Sequence, residues 1–126
     1  MKLIKLTATV LLIFSASLYA DNSLDENQIK ELFTNKTFTV KNVENDRTMK
    51  GYDDANGEHL IYLPKKDKLF KRKWWTDGNK HCTSNPKRGD SCKTLVDMGN
   101  GVYNGYTDGK HTHVLSDFQE GNHLKD

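Results

Sequence analysis

The chain has 126 residues with 19 basic and 17 acidic side chains and two cysteines. Lys2 and Lys5 are the charged groups of the first twenty residues, so a chain cut after Ala20 keeps 17 basic against 17 acidic side chains and carries no net charge. That balance excludes a global electrostatic attraction to nucleic acid or to an anionic membrane, and 27 large apolar residues after position 20 suffice for one modest core, not two.

MKLIKLTATVLLIFSASLYA reads as an export signal. Lys2 and Lys5 form a short positive region, Leu6 to Leu18 is an apolar run too short for an ordinary membrane span, and Ala20 is a small residue placed before a cleavage site. The expectation is a signal peptide over 1–20 and a single β-rich domain over 21–126, periplasmic or secreted, with no stable membrane insertion after the leader is removed. Cleavage after Ser17, or an uncut anchor, is the alternative.

Ser23 followed by Glu26 has the spacing of a capping box. Leu24, Ile29, Leu32 and Phe33 then recur at helical spacing, which predicts an amphipathic helix over about 24–34 with Leu32 and Phe33 as its anchors.

After Asn35 the pattern turns to short segments rich in β-branched and aromatic residues. They are punctuated by Asn56-Gly57, Asp77-Gly78, Asn100-Gly101 and Asp108-Gly109, each able to supply positive φ angles for tight hairpins. Strands are expected near 37–43, 47–53, 58–63, 68–75, 91–96, 101–106 and 110–118. Alternation in TFTVKNV puts Phe38 and Val40 on one face, and the apolar HLIYLP segment suggests a central strand. The expected core is Phe38, Val40, Leu60, Tyr62, Phe70 and Trp74. A meander of six to eight strands is best served by a small antiparallel barrel or a curved sheet, because closure removes exposed edges. The helix is suited to plug one end.

Cys82 and Cys92 are the cysteines of the chain, and an even count in an exported protein reads first as a disulfide. The alternative is a redox or metal-binding pair, against which stand nine intervening residues in place of the two of redox motifs.

Three groups of residues are candidates for chemistry. His111 and His113 are two apart on an expected strand, where alternation points both side chains to one side, within reach of a copper or zinc ion if His81, His123 or an acidic residue such as Asp117 completes the site. Lys71, Arg72, Lys73, Trp74 and Trp75 end a basic run that starts at Lys65, and cations beside aromatic rings make a ligand or partner surface. For an exported protein, that surface suits an acidic protein, an anionic glycan or another small ligand better than nucleic acid. Glu44, Asp46, Asp53, Asp54 and Glu58 make the early strands acidic in compensation. The third candidate is a small secreted hydrolase assembled from His111, His113, Asp117 and Glu120, although no nucleophile-elbow, zinc-helix or phosphate-loop motif accompanies them.

LFTNKTF after a short helix, GYDDANGEHLIYL, the Trp74-Trp75 pair followed by the two cysteines, and FQEGN near the end resemble small exported bacterial β-proteins described as lipocalin-like or calycin-like. The resemblance covers roughly residues 31–124. It implies a small antiparallel barrel-like sheet with a disulfide between late strands, and it carries no catalytic residues over. The reading of the sequence is an exported, non-catalytic binding or interaction module. A periplasmic metal-binding protein centred on His111 and His113 is the alternative, and the small hydrolase the third.

Overall fold

The computed structural model describes residues 22–126, and the expected leader lies outside them. Ser23 bridges Val96, and the Leu24 N–H donates to the Leu95 carbonyl at 2.8 Å. Because Ser23 is held in this extended pairing, the helix α1 (Glu26–Phe33) starts later than the Ser23–Glu26 spacing suggests. Its capping box is Asp25 with Gln28: the Gln28 N–H donates to the Asp25 carboxylate at 2.8 Å and the Asp25 N–H to the Gln28 side-chain oxygen at 2.9 Å. Ile29 and Phe33, one turn apart, are its buried face, and Leu32 is only partly covered.

The remainder is a closed antiparallel barrel of eight strands, β1 (Lys36–Asn42), β2 (Thr48–Asp53), β3 (Glu58–Leu63), β4 (Lys68–Asp77), β5 (Lys80–Thr83), β6 (Ser91–Gly99), β7 (Val102–Thr107) and β8 (Lys110–Glu120). Each strand pairs with the next, and β8 returns to β1. Asn100-Gly101 and Asp108-Gly109 turn their hairpins with positive φ at both positions. The strand the sequence did not announce is β5. It has four residues, and its buried His81 and Cys82 break the apolar alternation that marks a strand.

Register decides which side chains are inside. Phe38 faces Gly51, Gly51 faces Ile61, His81 faces Lys93, Leu95 faces Gly105, and Val40 faces Leu115. Phe38, Val40 and Trp74 are buried as expected, whereas Leu60, Tyr62 and Phe70 are only half-buried. The inward residues of β3 are instead His59 and Ile61, so the apolar Leu60 and Tyr62 cover the outer surface beside Lys71 and Leu69. Phe70 is on the inner face but lies partly open, beneath the Arg72 guanidinium at 5.3 Å.

Two bulges in β8 interrupt strict alternation. Asp117 adopts φ +56 in the register shift against β1, and this turns Phe118 inward only three positions after Leu115. Phe118 then meets Phe38 and Phe33, with ring centroids 5.3 and 5.4 Å apart. Together with Phe33, Ile29 and Trp74 these rings fill one end of the barrel, so α1 acts as its plug.

Cys82 and Cys92 face each other across β5 and β6 and are joined in a disulfide. A disulfide of this kind fits an oxidising compartment. No helix among the described residues is long and apolar enough to cross a membrane.

Candidate functional site

The end of the barrel opposite α1 is open. β5 pairs only with Trp74–Asp77 of β4, which leaves the Lys68–Lys73 half of β4 without a β5 neighbour. The loop 84–90 lies across this gap. Its shape comes from Asn85, whose side-chain oxygen accepts from the N–H groups of Lys87 and Arg88 at 2.9 and 3.1 Å, and from Gly89 at φ +81. Beneath the loop is a cavity of about 470 Å³, with Val40, Met49, Ile61 and Leu115 as apolar wall and His59, His81, Lys93 and His113 as polar lining.

Two imidazoles of the cavity lining, His59 and His81, hold a buried carboxylate behind them. Asp53 is fully buried, one oxygen bonded to His59 Nδ1 and the other to His81 Nε2 at 2.7 Å. Asp53 therefore does not belong to an acidic surface, as the sequence suggested. Gly51 makes this arrangement compact: a Cβ there would lie 2.7 Å from the Phe38 ring and 3.4 Å from His59 Cε1, so the absent side chain lets Phe38 slide under the imidazole. His81 stacks on Phe33, ring centroids 3.9 Å apart, with Trp74 beside the pair at 5.6 Å from His81.

Electrostatics follow from this packing. Burial opposes the charged form of Asp53 most strongly, but the hydrogen bonds from His59 and His81 and the charge interactions with both imidazoles together outweigh it and hold the carboxyl below its ordinary range. Burial dominates at His81 and lowers it despite Asp53, so its Nε2–H donates to the carboxylate and Nδ1 is left as an acceptor. That Nδ1 is buried and has no partner among the described residues. Burial also pushes Lys93 down to about 8, with Asp53 opposing the shift, and burial with Lys93 and His111 nearby takes His113 down to about 4.

A buried carboxylate and two buried imidazoles in so small a barrel are costly to desolvate and are weak contributors to stability, whereas shifted titratable groups lining a cleft are characteristic of functional sites. The geometry offers neutral imidazoles able to hydrogen-bond, a cationic group and an apolar wall in one chamber. Comparison with protein-family models, curated proteins and solved structures returns no match. The eight-stranded barrel is compatible with a lipocalin-like architecture.

The residues singled out in the sequence are distributed over three places. At the other bulge in β8, Gly105 pairs with His113 but Tyr106 pairs with His111, so Thr112 is supernumerary and the two-residue alternation fails between the histidines. His113 lines the cavity, its Nδ1 2.8 Å from Thr112 Oγ1, while His111 lies against the Tyr106 ring at 5.2 Å. No group of three or more His, Cys, Asp or Glu is placed to hold a metal ion among the described residues. Trp74 is buried and donates its indole N–H to the Asp54 carbonyl at 2.8 Å. Lys71, Lys73 and Trp75 are exposed and border an open external groove of about 1180 Å³, shared with Arg72 and with the acidic Asp54 and Glu58.

The sequence reading did not bring Asp53, His59, His81 and Lys93 together because they are scattered over four strands and none sits in a motif. One signal was present: His59 and Lys93 share the parity of Ile61 and Leu95 in their strands, so an inward polar face needed only the correct register to be seen.

Proposed function

We propose that the protein is an exported, non-catalytic binding module that takes a small ligand through the open end of its barrel. The observation that carries this reading is the cavity of about 470 Å³ beneath the 84–90 loop, a size within the range of about 300–1,000 Å³ typical of small-molecule sites. Its mixed lining, apolar on one side with a few convergent polar groups, is what such sites use for affinity and orientation. The disulfide supports export, and the barrel supports a lipocalin-like mode of use.

The external groove favours a second reading, an anionic glycan or acidic protein segment laid over Lys71, Lys73 and Trp75. Asp54 and Glu58 on the same groove weaken it by returning negative charge to the surface.

The test uses the uncharged fluorophore N-phenylnaphthylamine with the mature chain. It should bind with one-to-one stoichiometry and an increase in emission, and Ile61→Trp, which fills the chamber, should abolish binding without altering the far-ultraviolet circular dichroism. No binding, or undiminished binding to I61W, would refute the cavity as the ligand site.

A further inference from the structure

We propose that the cavity selects a small amphipathic monoanion, an apolar chain ending in a single carboxylate, through a direct ion pair with Lys93. The inference rests on the reading of the cavity as the ligand site and names the chemistry of its occupant.

Lys93 is an inward residue of β6, opposite His81. The barrel makes room for it at Gly105, where a Cβ would lie 3.1 Å from Lys93 Cδ and 3.4 Å from Leu115 Cδ1. The lysine stem thus lies along the inner wall in the space that any larger residue at 105 would occupy. A lysine meant only for solubility would point outward and would need no such gap.

The ammonium has no hydrogen bond or ion pair with any described residue. Asp53, the interior carboxylate, already directs its two oxygens to His59 and His81. Asp90 and Arg88 stand on the exposed mouth loop, where their opposite charges are solvated. His113 faces the same chamber, and its lowered affinity for protons keeps it neutral near pH 7, so it neither competes with Lys93 nor adds a second cation. A ligand with one negative charge satisfies the inward Lys93 ammonium, whereas a dianion would carry surplus charge into an apolar wall of Val40, Met49, Ile61 and Leu115. An uncharged ligand would leave Lys93 desolvated without a partner. The apolar remainder of the occupant follows from the same wall.

Isothermal titration calorimetry with octanoate and octanamide, which differ in charge at nearly constant shape, decides the matter in the mature chain. Octanoate should bind roughly tenfold tighter or more, the scale of a charge-assisted contact. Lys93→Met should retain octanamide binding and lose the preference, and Lys93→Gln should do the same if the Met variant does not melt cooperatively. Equal affinities in the unaltered protein, or a preference that survives substitution at position 93, would overturn the carboxylate assignment and leave the cavity reading standing. Failure of both compounds to bind would overturn the two together.

Discussion

His81 lies flat on Phe33, ring centroids 3.9 Å apart and planes inclined by 23°, so the lining of the cavity and the helical plug are one packed unit. The contact joins the first buried polar group of β5 to the last residue of α1, and through His81 Nε2 it reaches Asp53. Helix docking and the orientation of the polar site are therefore set by the same ring.

Phe33→Ala should accordingly cost about 3 to 5 kcal/mol, the range for losing a fully buried aromatic, and should also reduce affinity for any cavity ligand by releasing His81. Chemical denaturation and the ligand titration together check this. A stability loss without any change in ligand affinity would show that the lining keeps its shape without the plug.

The observed register separates two leucines that look alike in the sequence. Leu115 is 1% exposed inside the barrel, and Leu60 is half-buried on the outer side of β3. Leu115→Ala should lose about 2 to 5 kcal/mol, and Leu60→Ala less than about 1.5 kcal/mol, since surface-side substitutions rarely exceed that. Urea midpoints of the two variants give the comparison directly, and a larger loss for Leu60 would mean that the β3 register is shifted by one residue.

Acid should destabilise the fold through the imidazole range. His113 drops from an ordinary 6.5 to about 4 in the folded chain, so between these values the unfolded chain binds a proton that the folded chain refuses, and stability falls as pH falls. His81 is shifted in the same direction, and Asp53 extends the loss below the ordinary carboxylate value. Denaturation curves between pH 7 and about 4 should show this slope, and His113→Gln should flatten part of it.

Lys93 gives a test of the same sign at the alkaline side. Its ammonium titrates near 8 when folded against 10.5 in a free side chain. Across that window the unfolded chain holds the extra proton, and stability should rise with pH until other groups intervene. Lys93→Met should be more stable than the unaltered protein at neutral pH and should lack this rise. Octanoate binding should weaken above about pH 8 for the same reason, well before an exposed lysine would discharge.

Much of the fold was legible because its signals are local. Dipeptides such as Asn100-Gly101 and Asp108-Gly109 fix hairpins within four residues, and Phe38 with Val40 marks the inner face of β1 without help from distant chain. The site was not legible, for a physical reason that β8 illustrates. Two bulges, at Thr112 and Asp117, each reverse the parity of the residues beyond them, so that His111 and His113 part company and Phe118 turns inward. Period-two reasoning cannot anticipate an inserted residue. A different limit hid β3, where the register is regular but an apolar stretch drew attention to Leu60 and Tyr62 while His59 took the interior position bonded to Asp53.

The crosslink between Cys82 and Cys92 closes a covalent ring, and the segment that rings the mouth of the chamber, residues 84–90, is the part of that ring left outside the ladder. Opening the ring would leave the barrel strands with their ladder bonds but would free the doorway to wander. A freshly made chain with both thiols reduced thus has a chamber whose entrance is unfinished. On the proposed reading of the chamber as a ligand site, oxidation as well as folding completes its entrance.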